Sequence, residues 1–149
     1  MADAETVQLA DALVDSLKTV TFDPAVAPVR MYLPKHDLAD LANVQVTIVP
    51  RGPVETMASR GSYQQDLAIE VGLQKKIDPA HENAECDTYM GLMKELTRHC
   101  RFRALLSGYT WIANEAVSPD TLWLPNHLRE LSVFTAVLRV THRGIKRHS

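Results

Sequence analysis

GSYQQDLAIEVGLQKKI, Gly61 to Ile77, alternates over its whole length. In an extended chain Tyr63, Gln65, Leu67, Ile69, Val71 and Leu73 fall on one side, and Gln64, Asp66, Ala68, Glu70, Gly72 and Gln74 on the other. One face is mostly apolar and the other is polar. At about 3.3 Å per residue the strand runs roughly 40 Å or more, against a usual strand of about 5 or 6 residues. A strand of that length overhangs neighbours of ordinary length, and an overhang exposes backbone N–H and C=O groups that soluble proteins normally cover. The stretch therefore points to assembly with a partner.

Upstream, Pro50 to Gly61 (PRGPVETMASRG) mixes proline, glycine and arginine without sustained periodicity and reads as an extended loop, about twice the usual connection length. Before it, VQVTIV alternates as a strand with Val44, Val46 and Ile48 on one face. HDLADLAN allows about one helical turn. Val29 to Leu33 is a short strand ended by Pro34, and Ala4 to Lys18 is an amphipathic helix that Asp3 can cap, with Val7, Ala10, Leu13, Val14 and Leu17 inward. Downstream, Asp78 and Pro79 stop the long strand and introduce a helix over Asn83 to His99, with Tyr89, Leu92, Met93, Leu96 and Cys100 inward and Cys86 one turn earlier. A strand over Tyr109 to Ala116, a loop with Pro119 and Pro125, and a last alternating strand, LSVFTAVLRVTHR, complete the chain.

This order predicts an α+β fold: a mixed or mainly antiparallel sheet with one long strand, packed by two helices on one side. The 149 residues make a single domain, 1–149, in which the basic end 142–149 reads as a flexible, solvated tail. The apolar fraction of 46% and charged fraction of 23% are those of a globular protein. No apolar run reaches the roughly 18 residues of a membrane span, and MADAETVQLADAL lacks the basic start and apolar core of a signal peptide. A net charge of -2 gives no positive field to recruit nucleic acid. Cys86 and Cys100 lie on one helix, roughly 21 Å apart at about 1.5 Å per residue, so they stay reduced.

The chemistry-bearing residues do not assemble into a site. His81, Glu82, Asp87, His99 and Cys100 are possible metal ligands, but no His or Cys pair has i, i+3 or i, i+4 spacing, so surface histidines and packed cysteines are the expectation. A Cys86 nucleophile with His81 rests on proximity in sequence alone, and glycines at 52, 61, 72, 91, 108 and 144 spell no phosphate-binding motif. No catalytic residue, metal or organic cofactor is expected. Arg51 and Arg60 flank the long loop and suit an interface, as do Val54 and Met57 between them. With Gln64 and Asp66 on the adjoining strand they form the candidate interface with another subunit or a partner.

VQVTIVPRG, GSYQQDLAIEVGLQKK and SGYTWIANEAVSPDTLWLPNHLRELSVFTAVLRVTHRG, in that order after an N-terminal helix, resemble the lambda-type tail terminator proteins of long-tailed bacteriophages and related prophages. The shared elements are a long strand with a Q-x-x-L-x-I-x-V core, here Gln64 to Val71, and a final a-x-L-x-V-x-x-R strand, here Ala136 to Arg143. The resemblance covers nearly all of the chain, except that Val117 to Asn126 has no counterpart in the pattern. It implies a structural virion protein without catalytic residues, made in the host cytoplasm and found in the tail and neck. Its partners would be further copies of itself in a six-fold ring, the tail tube protein, a head-completion or neck protein, and a sheath protein if the tail is contractile, with DNA only passing through the ring. Another neck or head-completion connector is the nearest alternative, a small cytosolic enzyme using Cys86 or Cys100 is a more distant one, and the basic end raises a third, a nucleic-acid-binding module.

Overall fold

The computed structural model describes residues 4–32, 40–116 and 132–147. In chain order these form α1 (Glu5–Lys18), β1 (Pro28–Arg30), β2 (Gln45–Ser59), β3 (Ser62–Lys76), α2 (Glu82–Cys100), β4 (Thr110–Ala116) and β5 (Val133–Arg147), with 3-10 turns at Asp40–Ala42 and Pro79–His81. The architecture is α+β, a five-stranded sheet in the order β1-β2-β3-β5-β4 with both helices on one side. Only β1 and β2 run parallel, so the sheet is mixed and mainly antiparallel.

The alternating stretch becomes β3, within one residue of its expected ends. It is paired along its length on both sides, with β2 from Gln45↔Gln74 to Ser59↔Ser62 and with β5 from Ser62↔Arg147 to Lys76↔Val133. Its apolar side is the core side: Gln65, Leu67, Ile69, Val71 and Leu73 are all buried. Leu9, Leu13 and Leu17 of α1 and Leu92, Met93, Leu96 and Cys100 of α2 close over them. Each such aliphatic side chain, fully buried, stabilises the fold by roughly 1.5–3 kcal/mol.

Two expectations are corrected by the pairing. Pro50 to Gly61 is not an extended loop: β2 continues to Ser59, and only Arg60 and Gly61 turn the chain back into β3. Long β3 offers ladder partners to Pro50, to Pro53 through Met57 and to Ser59, and irregularities between Pro50 and Pro53 and between Met57 and Ser59 take up the residues left over at this sheet edge. Nor is 142–149 a flexible tail as far as Arg147, because β5 stays in register with β3 to that residue. Asp3, Leu33, the 117–131 segment and His148 lie outside the described residues. α1 begins after Ala4 without a side-chain cap.

α2 starts and ends within one residue of expectation. The stop before it is built by Asp78, whose carboxylate accepts the Ala80 N–H at 3.0 Å and sits 3.1 Å from His81 Nδ1. These contacts hold the Asp78 pKa below its ordinary value, the backbone N–H contributing most. His81 is exposed as expected, but His99 is buried, with Nε2 2.8 Å from Ser16 Oγ and its ring edge-on to Phe22. Cys100 is buried and Cys86 only partly so; both thiols are free.

Gly144 is required by close approach. A Cβ there would lie 2.7 Å from the Tyr109 ring and 2.8 Å from the Gly108 carbonyl oxygen. Tyr109 is itself buried and bonded, so it cannot step aside cheaply. Gly144→Ala is expected to destabilise the protein by about 1–3 kcal/mol, measured as a shift in the urea unfolding midpoint at unchanged slope; a variant as stable as the parent would contradict this packing.

Candidate assembly interface

The sheet has two unlike faces. On the face away from the helices, register places Asp66 of β3 opposite Arg143 of β5, and Glu70 opposite Arg139. The Asp66 carboxylate takes two hydrogen bonds from the Arg143 guanidinium, at 2.8 and 3.1 Å. This bidentate pair raises the Arg143 pKa, the hydrogen bond being the main cause. Glu70 is nearly buried because arginines approach it from both flanking strands, Arg51 and Arg139, each at 3.2 Å. Buried alone, its carboxylate would be costly; between two guanidinium groups it is compensated. The concavity they line, about 660 Å³, also contains Val54, Ala68, Ala113 and Glu115.

The sheet also has a protruding end. From Arg51 to Ser59 every residue of β2 is exposed, and β1 pairs with β2 only as far as Ile48. Val54 of β2 is 62% exposed, Met57 of β2 78% and Ile145 of β5 59%, apolar surface at one end of the sheet that packs on nothing among the described residues. On the helix side a latch roots this arm. The Tyr109 hydroxyl donates to the Glu5 carboxylate and lies 2.9 Å from the Gln65 side-chain amide, while Lys146 Nζ sits 3.2 Å from Glu5 and 5.0 Å above the Tyr109 ring. Burial, followed by the bond to Glu5, raises the tyrosine pKa and keeps the hydroxyl protonated.

Of the six interface residues expected from the sequence, Arg51, Val54, Gln64 and Asp66 share the open face, with Val54 opposite Asp66 and Gln64 opposite both Thr56 and Ile145. Met57, opposite Tyr63, projects from the other face, and Arg60 sits at the tip. The structure adds Glu70, Arg139, Arg143, Glu115 and Ile145. Arg139, Thr141 and Arg143 alternate along the last strand, a signal that was present in the sequence but lacked the register to pair it.

Among the described residues no three His, Cys, Asp or Glu side chains converge on a possible metal position. Neither thiol is poised as a nucleophile. Burial pushes the Cys100 pKa up to about 12, and burial together with Glu82, Asp87 and Glu85 raises that of Cys86. In native protein at neutral pH, Cys100 is expected to resist a maleimide until unfolding and Cys86 to react more slowly than free cysteine, read by intact mass; rapid double labelling would contradict the α2 packing. No protein-family model matches the chain, and no curated protein is a significant match to it.

His142 lies on the core side of β5 with both ring nitrogens buried and without a hydrogen-bond partner among the described residues. Burial lowers its pKa below the ordinary 6.5, and burial also lowers that of His99. The unfolded chain therefore takes up protons near pH 6.5 that the folded chain refuses. The stability carried by the neutral rings is greatest well above that pH and is lost as pH falls through and below it. Unfolding free energy is expected to fall as pH is lowered through about 6.5, with a shallower fall in His142→Leu. A profile unchanged by that substitution would contradict the assignment to His142.

Proposed function

We propose that the chain is a structural virion protein, a tail terminator whose copies close into a ring of six on the finished tail tube. The ring stops tube polymerisation and presents a surface to the head-completion or neck protein, with sheath contacts where the tail is contractile and DNA passing through the lumen. The protein assembles in the host cytoplasm and ends in the tail and neck of the particle. The observation that carries this reading is the arm. Its outer strand is exposed throughout and presents Val54 and Met57 beyond the core. The arm is nevertheless rooted by Gly144, Tyr109 and Glu5, so a partner meets an ordered surface rather than a loop it must first organise.

The same features make the interface separable from the fold. Val54 and Met57 belong to no buried cluster, and Arg51 is half exposed, with Arg139 left to compensate Glu70 when Arg51 is removed. A combined Arg51→Ala, Val54→Ser, Met57→Ser and Arg60→Ala variant is expected to fold normally and fail to cap. Electron microscopy of lysates from the phage or prophage carrying the variant is expected to show overlong tubes without heads. Headed particles with tails of normal length would contradict the reading.

A further inference from the structure

The charged residues on the open face form an ordered series across the sheet. From the β2 edge to the β4 edge they run Arg51, Glu70, Arg139, Glu115, alternating in sign. Arg51 and Arg139 each bond Glu70 at 3.2 Å, and Glu115 stands opposite Arg139 in the β4–β5 register. The series ends in unlike charges at the two edges. Arg51 is half exposed, and Glu115 is exposed with no ion pair of its own among the described residues.

Both edges also carry backbone that has no ladder partner among the described residues. Past Ile48, β2 has no ladder partner on its outer side among the described residues, and neither does β4 on the side away from β5. The outer run of β2 is weakly defended: between Gly52 and Ser59 the only charge is Glu55. Pro50 and Pro53 offer no N–H, so a strand added here pairs from Val54 outward and is stopped before β1.

We propose that copies of this chain join by strand addition, the outer edge of β4 in one copy pairing antiparallel with Val54–Ser59 of β2 in the next, so that Glu115 at the Val54 end of the added ladder comes beside Arg51. Direction follows from topology. β2 opposes β3, β3 opposes β5 and β5 opposes β4, so β4 is antiparallel to β2. A neighbour that keeps the same face outward therefore brings its β4 alongside β2 in the antiparallel sense, with well-aligned hydrogen bonds. The charges choose the partner. Joining β4 to β2 continues the alternation across the junction, whereas β2 to β2 or β4 to β4 joins two edges that carry the same end of the series and forms no Glu115–Arg51 contact. The contact is thus heterologous, the type that closes rings. It deepens the proposed function and rests on it only for self-assembly, not for capping.

Hydrogen exchange on the whole chain, at concentrations where light scattering shows monomer and where it shows assembly, reads the added ladder directly. Amides of Val54–Ser59 and Thr110–Ala116 are expected to slow together, at least about tenfold, on assembly. Glu115→Arg, an exposed change, is expected to raise the assembly midpoint about tenfold through like-charge contact, and Glu115→Gln to raise it by less, with circular dichroism confirming that both variants fold. Assemblies whose Val54–Ser59 amides stay fast, a Glu115→Arg protein that assembles like the parent, or a parent monomeric at every concentration would overturn the proposal. So would protection that appears only when purified tail tubes are added, which assigns the edge to the tube protein. Protection on self-assembly by protein that fails to arrest tubes would support strand addition while overturning capping.

Discussion

The structure depends on satisfying the backbone of β3 on both sides. A 15-residue strand at the centre of a sheet presents a full set of N–H and C=O groups to each neighbour, and leaving them unpaired is costly wherever water is excluded. Two further 15-residue strands, β2 and β5, are the answer. The helices cover only one face of this sheet and leave its outer end bare. The arm is therefore a consequence of strand length: three strands continue together after the helical cover has stopped.

The two faces of β3 then divide the remaining problems. Inward, Leu67, Ile69, Val71 and Leu73 supply apolar area for α1 and α2. Outward, Asp66 and Glu70 need cations, and the register delivers Arg143 and Arg139 from β5 and Arg51 from β2. The arginine pairs are partly exposed and add little stability individually. Their consequence is order: a sequence of alternating charge that gives the two sheet edges different identities. A surface with unlike ends favours head-to-tail over head-to-head contact.

The sequence made β3, α1 and α2 legible because each follows its own period for long enough to stand out. What was misread depends on distant partners. Pro50, Gly52 and Pro53 look like breakers locally, yet they lie in a strand because β3 holds the other side. The last residues, with Arg143, Lys146 and Arg147 among them, read as a solvated basic end, because nothing local shows that β3 pairs with them. Gly144 is small because Tyr109, far away in sequence, passes over it. His99 looked like a surface histidine until Ser16 of α1 and Phe22 were placed beside it. The candidate interface was legible as a region, Arg51 to Asp66, but not as a face, since only the register shows that Met57 projects away from Val54 and that Glu70 and Glu115 belong with Arg51.

The central claim is that the protruding end of the sheet exists to be covered by neighbours at the end of a tail tube. Electron cryomicroscopy of isolated tails tests it most directly. The account predicts a ring of six copies at the head-proximal end of the tube, with the Arg51–Gly61 arm of each copy buried against the next copy or the last tube ring. Tails whose terminal ring contains no copy of this chain, or a ring in which every arm projects into solvent, would contradict it.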